Sequence, residues 1–331
     1  MTAAIRHSTL DMRHSTPVLV TGAAGMVGSH LVERLARRGT PVVAVDNFND
    51  YYAPAQKRAN VAGFADLKGV TLVEADIRDA AKMTELFATH KPRAVAHLAA
   101  MANVRYSIGR APLYTDVNVV GSVNLLEAAR LHGTQVFAFA STSSIYGHTK
   151  RLPFIEDDAC NEPLSAYPAT KKAIELIGYT YHNLHGLNFT ALRFFSVYGP
   201  RARPDMMPFM TTDCIVKGKR FELFDAGQMK RDWTYVDDIA AGVEAALDRP
   251  LGYQVINLGR GEPVLMADFV TIVEKLVGRK AVLDTPPAPP SELKVNFANI
   301  DKARTLLGYH PTTDVETGMA RLWDWYRKQY Q

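Results

Sequence analysis

Short apolar runs alternate with amphipathic stretches through the first two thirds of the chain. The runs occupy residues 17–21, 41–45, 70–74, 94–98, 135–140 and 188–193, and helical patterns separate them. Strands that alternate with helices usually pair in parallel, because each helix carries the chain back across the sheet. The pattern therefore predicts a doubly wound α/β fold, with helices on both faces of a parallel sheet.

This regularity ends after Gly199-Pro200. Prolines then recur and become dense at residues 286–290. The change predicts a smaller C-terminal lobe over residues 199–331, with about 231–260 returning to the larger domain of residues 17–198. Residues 1–16 contain Arg-His-Ser-Thr twice, and we expect them to form a flexible N-terminal arm.

The first apolar run ends in residues 22–28 (Gly-Ala-Ala-Gly-Met-Val-Gly) and passes into a helical pattern. Val27, Leu31 and Leu35 recur every four residues, which is typical of a helix packed on a sheet. Glycines let the backbone approach a pyrophosphate, and free amides at the start of a helix bind its negative charge. A glycine triplet alone indicates an ordinary turn, but between a strand and a helix it predicts a Rossmann-type dinucleotide site at Gly22, Gly25, Met26, Val27 and Gly28.

An acidic residue, Asp46, ends the second apolar run. It follows Gly22 by 24 residues, close to the spacing at which a carboxylate accepts hydrogen bonds from the adenosine ribose. Because a carboxylate repels a 2'-phosphate, the sequence favours NAD over NADP. The alternative is that Asp46 caps a loop.

Tyr167 and Lys171 are four residues apart in a helical pattern, so their side chains leave the same face of the helix. A phenol has an ordinary pKa of ~10, too high for a base at neutral pH, and a neighbouring ammonium favours its ionised form. The pair alone is a weak signal, but its place downstream of a dinucleotide turn favours catalysis. Pro168 follows the tyrosine, which a helix tolerates in its first turn.

Composition narrows the possible partners. The chain has 331 residues, 47% of them hydrophobic and 22% charged, and its net charge of +4 is scattered, which does not support nucleic-acid binding. No apolar run approaches the ~18 residues that a membrane helix needs. Cys160 and Cys214 lack metal-ligand spacing, as do His97, His182 and His185, so we expect reduced thiols, no metal site and a cytoplasmic protein.

Two helical stretches, at about 112–132 and 165–184, are apolar on nearly all sides. One face of such a helix can cover the sheet, and the other face needs a partner. We therefore expect a homodimer built on these two helices. Asn118, within the first of them, is expected to be a buried polar group that bonds backbone near the site.

A hydroxyl-rich segment, residues 141–147 (Ser-Thr-Ser-Ser-Ile-Tyr-Gly), follows the apolar run at 135–140. The carboxyl ends of parallel strands line the ligand crevice of an open sheet. With the glycine turn, Asp46, the Tyr167 and Lys171 pair, and residues 193–200 (Arg-Phe-Phe-Ser-Val-Tyr-Gly-Pro), this segment resembles the extended short-chain dehydrogenase/reductases of the NAD-dependent epimerase/dehydratase family, which act on nucleotide sugars. The resemblance extends from about residue 17 to the C-terminus.

The resemblance implies NAD as the cofactor and adds contacts at the strand ends. Residues 76–77 are similar to the family's contact with the adenine edge, although capping of a helix is an equal alternative for Asp76 or Asp79. Residues 98–100 would lie along the cofactor. The implied cofactor residues beyond the glycine turn are Asp46, Asn47, Asp76, Ile77, Leu98, Ala99, Ala100, Tyr167 and Lys171.

Within this family the hydroxyl segment separates the reactions. Sugar 4,6-dehydratases carry Asp-Glu where this chain has Ser143-Ser144, and uronate decarboxylases carry Glu at the second of those positions. An acid there would be needed to move protons at carbons beyond the oxidised one. Since this chain has neither acid, the resemblance implies epimerisation.

Residues 46–52 and 203–206 are similar to the same stretches of UDP-glucuronate 4-epimerases. The resemblance implies that Arg203 meets the sugar carboxylate with paired, charge-assisted hydrogen bonds. Ser196 stands where galactose-type epimerases usually have Asn, and it would contact the carboxylate together with Ser143 and Ser144. The alternative for Arg203 is an ordinary surface arginine.

The nucleotide half of the substrate is expected to contact Arg231, which occupies the family's phosphate-binding position, and residues 221–224, whose backbone would bind uracil. A salt bridge with Asp232 or Asp237 is the alternative for Arg231. The chain departs from the family at residues 289–292 (Pro-Pro-Ser-Glu), where Gly-Asp is common.

The resemblance also implies a mechanism. Tyr167 would take the proton of the sugar 4-hydroxyl as the C4 hydride passes to NAD+, with Thr142 bridging hydroxyl and phenol. Lys171 would lower the pKa of Tyr167 and bond the nicotinamide ribose. The 4-keto sugar would then turn over and take the hydride back, which interconverts UDP-glucuronate and UDP-galacturonate. A UDP-glucose/UDP-galactose 4-epimerase is the nearest alternative, and a catalytically silent NAD-binding regulatory protein is the other.

Overall fold

The computed structural model describes residues 16–289 and 293–331. Residues 1–15 of the expected arm lie outside this range. The strands in chain order are β1 (Val18–Thr21), β2 (Val42–Asp46), β3 (Val70–Glu74), β4 (Ala94–His97), β5 (Val136–Thr142), β6 (Asn188–Phe194), β7 (Ser196–Tyr198), β8 (Arg220–Glu222), β9 (Lys230–Tyr235), β10 (Tyr253–Leu258), β11 (Pro263–Leu265), β12 (Val282–Asp284) and β13 (Val295–Asn296).

A parallel sheet of seven of these described strands forms the larger part of the molecule, in the order β10-β6-β5-β4-β1-β2-β3. Strand order reverses between β1 and β4, so the loops that leave these strands diverge and open a crevice at their carboxyl ends. This arrangement confirms the predicted doubly wound α/β fold.

Helices cover both faces of the large sheet. The α-helices in chain order are α1 (Met26–Arg37), α2 (Pro54–Ala62), α3 (Ala80–His90), α4 (Val104–Ser107), α5 (Ala111–Tyr114), α6 (Gly121–Leu131), α7 (Ala166–His185), α8 (Met207–Lys217), α9 (Val236–Leu247), α10 (Met266–Val277), α11 (Asp301–Leu307) and α12 (Val315–Tyr330). Val18 and Val20 of β1 face a core that includes α1 and α9, whereas Leu19 faces a second core with α3, α6 and α7. Successive strand residues point to opposite faces, so one short apolar run contributes to both cores.

The helix expected at about 112–132 is continuous but not uniform. A π-helical turn, Thr115–Val120, joins α5 to α6. Asn118 lies in this turn, where its Oδ1 accepts from the Met101 N–H at 2.8 Å and its Nδ2 donates to the Met101 carbonyl at 3.0 Å. The expected bonding of Asn118 to backbone near the site is confirmed. Apolar periodicity could not reveal the π turn, which is a local change in backbone hydrogen bonding.

The helix expected at about 165–184 is α7. It begins at Ala166, so Pro168 is its third residue and lies in the first turn, where a missing N–H costs nothing. Ser165 precedes the helix, and the chain leaves it through Gly186 in a left-handed conformation. Tyr167 and Lys171 therefore stand at the start of the helix, next to the carboxyl ends of β5 and β6.

The smaller lobe is built on a second sheet around β9, which pairs with β7 and β13 in parallel and with β11 in antiparallel. Strands β8 and β12 form a separate parallel pair. After β9 the chain returns to the larger domain through α9 and places β10 beside β6. Among the described residues, no helix combines the length and apolar character needed to cross a membrane.

Candidate active site

A cavity of about 790 Å³ lies between the carboxyl ends of the parallel strands and the small lobe. This volume is in the range of ligand-binding clefts. The structure places every residue expected at the site on the cavity wall, namely Gly22, Gly25, Met26, Val27, Gly28, Asp46, Asn47, Asp76, Ile77, Leu98, Ala99, Ala100, Thr142, Ser143, Ser144, Tyr167, Lys171, Ser196, Arg203 and Arg231.

Two glycines of the turn are required by the protein's own packing. Gly22 has a φ of +69°, and a Cβ there would lie 2.7 Å from the Ala99 nitrogen. A Cβ at Gly28 would lie 2.0 Å from the Gly22 carbonyl oxygen. At Gly25 a Cβ would meet only the Gly22 oxygen, at 3.2 Å, so the space beside this glycine opens into the cavity.

Helix α1 begins at this turn without a side-chain cap and without an acidic residue in its first turn. The amides of Met26 and Val27 therefore start the helix at the cavity wall, where they can bind an anion. The open space beside Gly25 and these two amides fit the pyrophosphate of a dinucleotide.

The carboxylate of Asp46 holds the turn in place. Its Oδ2 accepts from the Ala24 N–H at 3.0 Å, its Oδ1 accepts from the Phe48 N–H at 2.8 Å, and Lys57 Nζ lies 3.9 Å from Oδ1. Asp46 thus caps a loop, as the alternative interpretation expected, and it also lines the cavity. Each carboxylate oxygen can accept a second hydrogen bond, so this capping is compatible with ribose binding.

Asp76 is bound by Arg78 in a fork, with Nε 3.0 Å from Oδ1 and Nη2 2.8 Å from Oδ2. Asn47 Nδ2 also donates to Oδ2, at 2.9 Å. The hydrogen bonds from Arg78 outweigh burial and lower the pKa of Asp76 to about 2. The residue that caps α3 is Asp79, which accepts from the Lys82 N–H at 2.9 Å.

Tyr167 is half-buried at the cavity wall, beside Thr142 and the ring of Tyr114. Burial raises the pKa of the Tyr167 phenol, while a hydrogen bond with Thr142 and the positive charge of Arg203 lower it. Lys171 is not among the groups that shift this pKa in the protein chain by itself, and the expected lowering by Lys171 stays a prediction.

The reason lies in the surroundings of Lys171. Its ammonium donates to the Ala140 carbonyl at 2.8 Å and stands 4.7 Å from the centre of the Phe139 ring. The side chain is 2% exposed, and burial lowers the pKa of Lys171 to about 7. A lysine with this pKa is only partly charged at neutral pH, so it needs an additional acceptor to remain cationic.

His97, at the end of β4, belongs to a buried network that the sequence did not reveal. Its ring nitrogens lie 2.8 Å from the hydroxyls of Thr21 and Ser122. Thr21 Oγ1 also accepts from the backbone N–H groups of Leu98 and Ala99, both at 3.2 Å. Burial lowers the pKa of His97 to about 3, so the ring is neutral and acts as a fixed support under the cavity floor. Within the described residues, no cluster of His, Cys, Asp or Glu could hold a metal ion.

The hydroxyl segment turns into the cavity at the end of β5. Thr142 caps the short 3-10 turn Ser143–Tyr146, because its Oγ1 accepts from the Ser144 N–H at 3.1 Å. Thr142 also donates to the Ser144 hydroxyl at 3.2 Å. The turn sets these hydroxyls beside Tyr167 on the cavity wall.

Arg203 lies on the cavity wall and not on the outer surface. Its Nε donates to Asp205 Oδ1 at 3.0 Å, and its charge reaches Tyr167, whose pKa it lowers. Asp205 was not singled out from the sequence, although it stood within the stretch that carried the resemblance.

Arg231 is held by backbone carbonyls, since its Nη1 donates to Leu293 at 2.7 Å and to Lys230 at 2.9 Å. The two carboxylates considered as its alternative partners are engaged elsewhere. Asp232 is fully buried and accepts three backbone N–H groups, and Asp237 lies 2.7 Å from a ring nitrogen of His30.

Two cavity residues near Arg231 were missed. Trp233 stands two positions beyond Arg231 along β9, and Asn296 on β13 is the register neighbour of Arg231. Trp233 Nε1 and Asn296 Oδ1 are buried without a hydrogen-bond partner among the described residues. The strand period of two could have indicated Trp233, but nothing in the sequence places Asn296 beside it. Of the departure noted at 289–292, residues 290–292 lie outside the described range.

Comparison with known proteins agrees with this site. The model of the NAD dependent epimerase/dehydratase family matches residues 18–259. UDP-glucuronate 4-epimerase 3 of Arabidopsis thaliana is 43% identical over 339 residues, which covers 97% of this chain and 79% of the relative. UDP-glucuronate 4-epimerase of Thermodesulfobacterium geofontis is 40% identical over 314 residues, covering 95% of this chain and 97% of the relative. The crystal structure of UDP-glucuronic acid 4-epimerase from Bacillus cereus, in complex with UDP-glucuronic acid and NAD, is similar with a TM-score of 0.88 and 33% identity, covering 95% of this chain and all of that one.

Proposed function

Because the chain belongs to the NAD dependent epimerase/dehydratase family, we propose that it is an NAD-dependent 4-epimerase that interconverts UDP-glucuronate and UDP-galacturonate. The observation that carries the proposal is the convergence of Arg203, the hydroxyls of residues 142–144 and Tyr167 in one cavity. A guanidinium beside the proposed base suits a sugar with a carboxylate next to its reacting carbon. The relatives at about 40% identity named UDP-glucuronate 4-epimerases support the same sugar.

The cavity fits NAD at its glycine turn. The amides of Met26 and Val27 would bind the pyrophosphate, Asp46 would accept from the adenosine ribose, and residues 98–100 would lie along the cofactor. Bound NAD would supply reversible hydride transfer at C4, so that oxidation of the sugar and its reduction on the other face leave the cofactor oxidised. Since the cofactor ends each cycle oxidised, the protein has no need to release it.

Tyr167 acts as the proton carrier in this proposal. Its phenol oxygen takes the proton of the 4-hydroxyl on oxidation and gives it back on reduction. Thr142, which already lowers the pKa of Tyr167, holds the hydroxyl in line with the phenol. Lys171 gains an acceptor from the nicotinamide ribose, which raises its pKa above the value of about 7 in the chain alone and makes it a full cation near the phenol.

The protein must hold the sugar carboxylate in a fixed orientation to prevent its loss as carbon dioxide. Once C4 is a ketone, the C5 carboxylate belongs to a β-keto acid, which loses carbon dioxide when the bond to the carboxyl carbon aligns with the carbonyl π system. Arg203, Ser196 and the Ser143-Ser144 hydroxyls would hold the carboxylate out of alignment and keep its charge localised. The lack of an acid at residues 143–144 also removes the proton donor that dehydration would need.

Incubation of the purified, NAD-loaded protein with UDP-glucuronate, followed by proton NMR, tests the proposal. We expect the C4 epimer to appear without net oxidation and with little loss of carbon dioxide. A parallel incubation with UDP-glucose distinguishes the alternative substrate, and Tyr167→Phe controls for contaminating activity. Conversion of UDP-glucose with no conversion of UDP-glucuronate would contradict the proposed sugar.

We also propose that the protein is a homodimer through the helical run 111–131 and helix α7. Both carry large apolar side chains on their outer faces. Val120 and Leu131 are 45% and 56% exposed, and Leu176 and Leu184 are 57% and 70% exposed. Leu176 and Leu184 are eight residues apart, so they share one face of α7, and Val120 and Leu131, eleven residues apart, share one face of the other run. A second copy that presents the same two helices would bury both faces.

Multi-angle light scattering tests the dimer. A dimer mass at micromolar concentration is expected for the wild type, and a monomer mass is expected for Leu176→Glu, which places a charge at the proposed interface. Glu162→Gln, at an exposed position outside the two helices, serves as the control. A wild-type monomer at that concentration would overturn the proposal.

We place the protein in the cytoplasm. Both cysteines, Cys160 and Cys214, are free thiols, which suits a reducing compartment. Cell fractionation that finds the native protein outside the cytoplasmic fraction would contradict this placement.

A further inference from the structure

Asp205 stands against Arg203 at the mouth of the cavity. Arg203 Nε lies 3.0 Å from Asp205 Oδ1, and Nη2 lies 3.5 Å from Oδ2. Asp205 therefore occupies one edge of the guanidinium, the edge formed by Nε and Nη2. The opposite edge, formed by Nη1 and Nη2, has no partner among the described residues.

Two further side chains hold Asp205. Tyr51 donates its hydroxyl to Oδ2 at 2.8 Å, and Asn103 Nδ2 donates to the same oxygen at 2.8 Å. These residues come from two loops of the larger domain, whereas Arg203 and Asp205 follow β7. The carboxylate thus joins three segments of the cavity wall, and all four side chains line the cavity.

The backbone at Asn103 indicates that this contact is imposed by its surroundings. Asn103 has a φ of +91° and a ψ of 116°, a backbone conformation that residues other than glycine rarely adopt. Its Oδ1 accepts from the Tyr106 N–H at 3.2 Å, which orients the amide nitrogen toward Asp205. A strained residue whose amide bonds a carboxylate at a cavity mouth is typical of a functional site.

We propose that Asp205 is a positioning residue that makes the cavity selective for a sugar carboxylate, by clamping one edge of Arg203 and presenting the free edge to the substrate. This inference rests on the proposed function, in which Arg203 binds the uronate. An arginine has five N–H donors in a rigid fork, so it can bind two carboxylates on different edges at once.

The orientation of the free edge gives the clamp its selectivity. With a uronate bound, Arg203 lies between two carboxylates and carries only one positive charge, so the clamp acts by geometry: it holds the paired N–H groups of the free edge in line with the sugar carboxylate. An uncharged sugar gives Asp205 no competitor. Its hydroxyls accept from the free edge without a negative charge of their own, so these hydrogen bonds are weaker than those of a carboxylate. An isolated surface ion pair would contribute little, but this one has two additional donors on the carboxylate, which limit the motion of both side chains.

The test measures binding selectivity in the NAD-loaded Tyr167→Phe background, where turnover is blocked. Isothermal titration calorimetry gives the Kd for UDP-glucose divided by the Kd for UDP-glucuronate. We expect Asp205→Ala to lower this ratio about tenfold, because the free arginine loses its orientation. Asp205→Asn, which keeps one acceptor, should lower it less. Asp50→Asn removes a nearby exposed carboxylate and should leave the ratio unchanged.

Four further results decide between the possible explanations. In an Arg203→Ala background, Asp205→Ala should have no effect on the ratio, since Asp205 acts through the arginine. If Asp205 only competes with the substrate for Arg203, Asp205→Ala should raise the ratio of the two Kd values. A raised or unchanged ratio would overturn the role proposed for Asp205 but would leave the proposed function intact. A ratio at or below one in the Tyr167→Phe protein with Asp205 intact would mean that the cavity has no preference for the sugar carboxylate. That result would overturn both the role of Asp205 and the proposed function. Tyr51→Phe, which removes one donor to Asp205, should shift the ratio in the same direction as Asp205→Ala.

Discussion

Replacing Lys171 by methionine should make the cofactor-free protein more stable and catalytically inactive. The lysine is fully enclosed and has the Ala140 carbonyl, at 2.8 Å, as its hydrogen-bond acceptor. Burial lowers its pKa from 10.5 to about 7. Methionine is similar in length and carries no charge, so it can occupy the same space without the cost of burying an ammonium.

The magnitude follows from the shift in the pKa of Lys171. The folded pKa is below the unfolded one, so the unfolded chain binds more protons between pH 7 and 10.5, and the free energy of unfolding rises with pH in that window. At ~1.36 kcal/mol per unit, the full cost of the buried charge is about 5 kcal/mol, present at and below pH 7. The carbonyl left without a donor costs ~1–3 kcal/mol. The net gain of Lys171→Met is therefore about 2–4 kcal/mol near pH 7.

Urea unfolding at pH 7, 8 and 9 measures this effect. The advantage of Lys171→Met should shrink by about 2 kcal/mol between pH 7 and 9, because the folded wild-type lysine loses its proton in this range while the unfolded one keeps it. Saturation with NAD should shrink it as well, because the ribose would bond the ammonium. Lys275→Met, at an exposed position on α10, should show no such slope. A difference between Lys171→Met and wild type that stays constant from pH 7 to 9 would refute the reasoning.

Three other predictions concern the site and its support. Tyr167→Phe should lower kcat by about 10³-fold with little change in KM, as expected for loss of a proton carrier, when the C4 epimer is followed by proton NMR; undiminished turnover would favour the silent NAD-binding alternative. Arg203→Ala should weaken UDP-glucuronate binding and release some UDP-pentose, detected by mass spectrometry; unchanged affinity without pentose would remove this role. The folded pKa of His97, about 3, is below its ordinary 6.5, so the unfolded state binds more protons in that window and stability is lost as pH falls through it. In urea unfolding, His97→Gln should therefore lose less stability than wild type between pH 7 and 4, and equal losses would contradict the neutral buried ring.

The arrangement of elements could be predicted because its signals are local. The apolar runs of β1, β2, β4 and β5 are buried along their whole length, so they need few polar positions and stand out from the amphipathic helices around them. The glycine turn was predictable for the same reason, since Gly22 needs a positive φ and Gly28 needs a bare Cα against the turn itself. Pro168 and Asn118 were also placed correctly, because a proline in a helix and an amide in an apolar helix each have few stable environments.

The π turn, the clamp on Arg203 and the polar atoms of Trp233 and Asn296 could not be predicted in this way. Asp205 meets Tyr51 and Asn103 from distant parts of the chain, and Asn296 becomes a neighbour of Arg231 only when β13 pairs with β9. Sequence spacing carries no record of such contacts, because they depend on how distant segments of the chain fold against each other.

By itself, the sequence determined the doubly wound sheet, the glycine turn and the types of residue that gather at the ends of its strands. Only the tertiary structure decided the pKa values of the catalytic residues among them. The helix brings Tyr167 and Lys171 to one face, as their spacing requires, but burial against Ala140 and Phe139 lowers the pKa of Lys171, and Thr142 and Arg203 are the groups that lower the pKa of Tyr167. The pKa of a side chain depends on its desolvation and on the charges around it, and both are properties of the packed molecule.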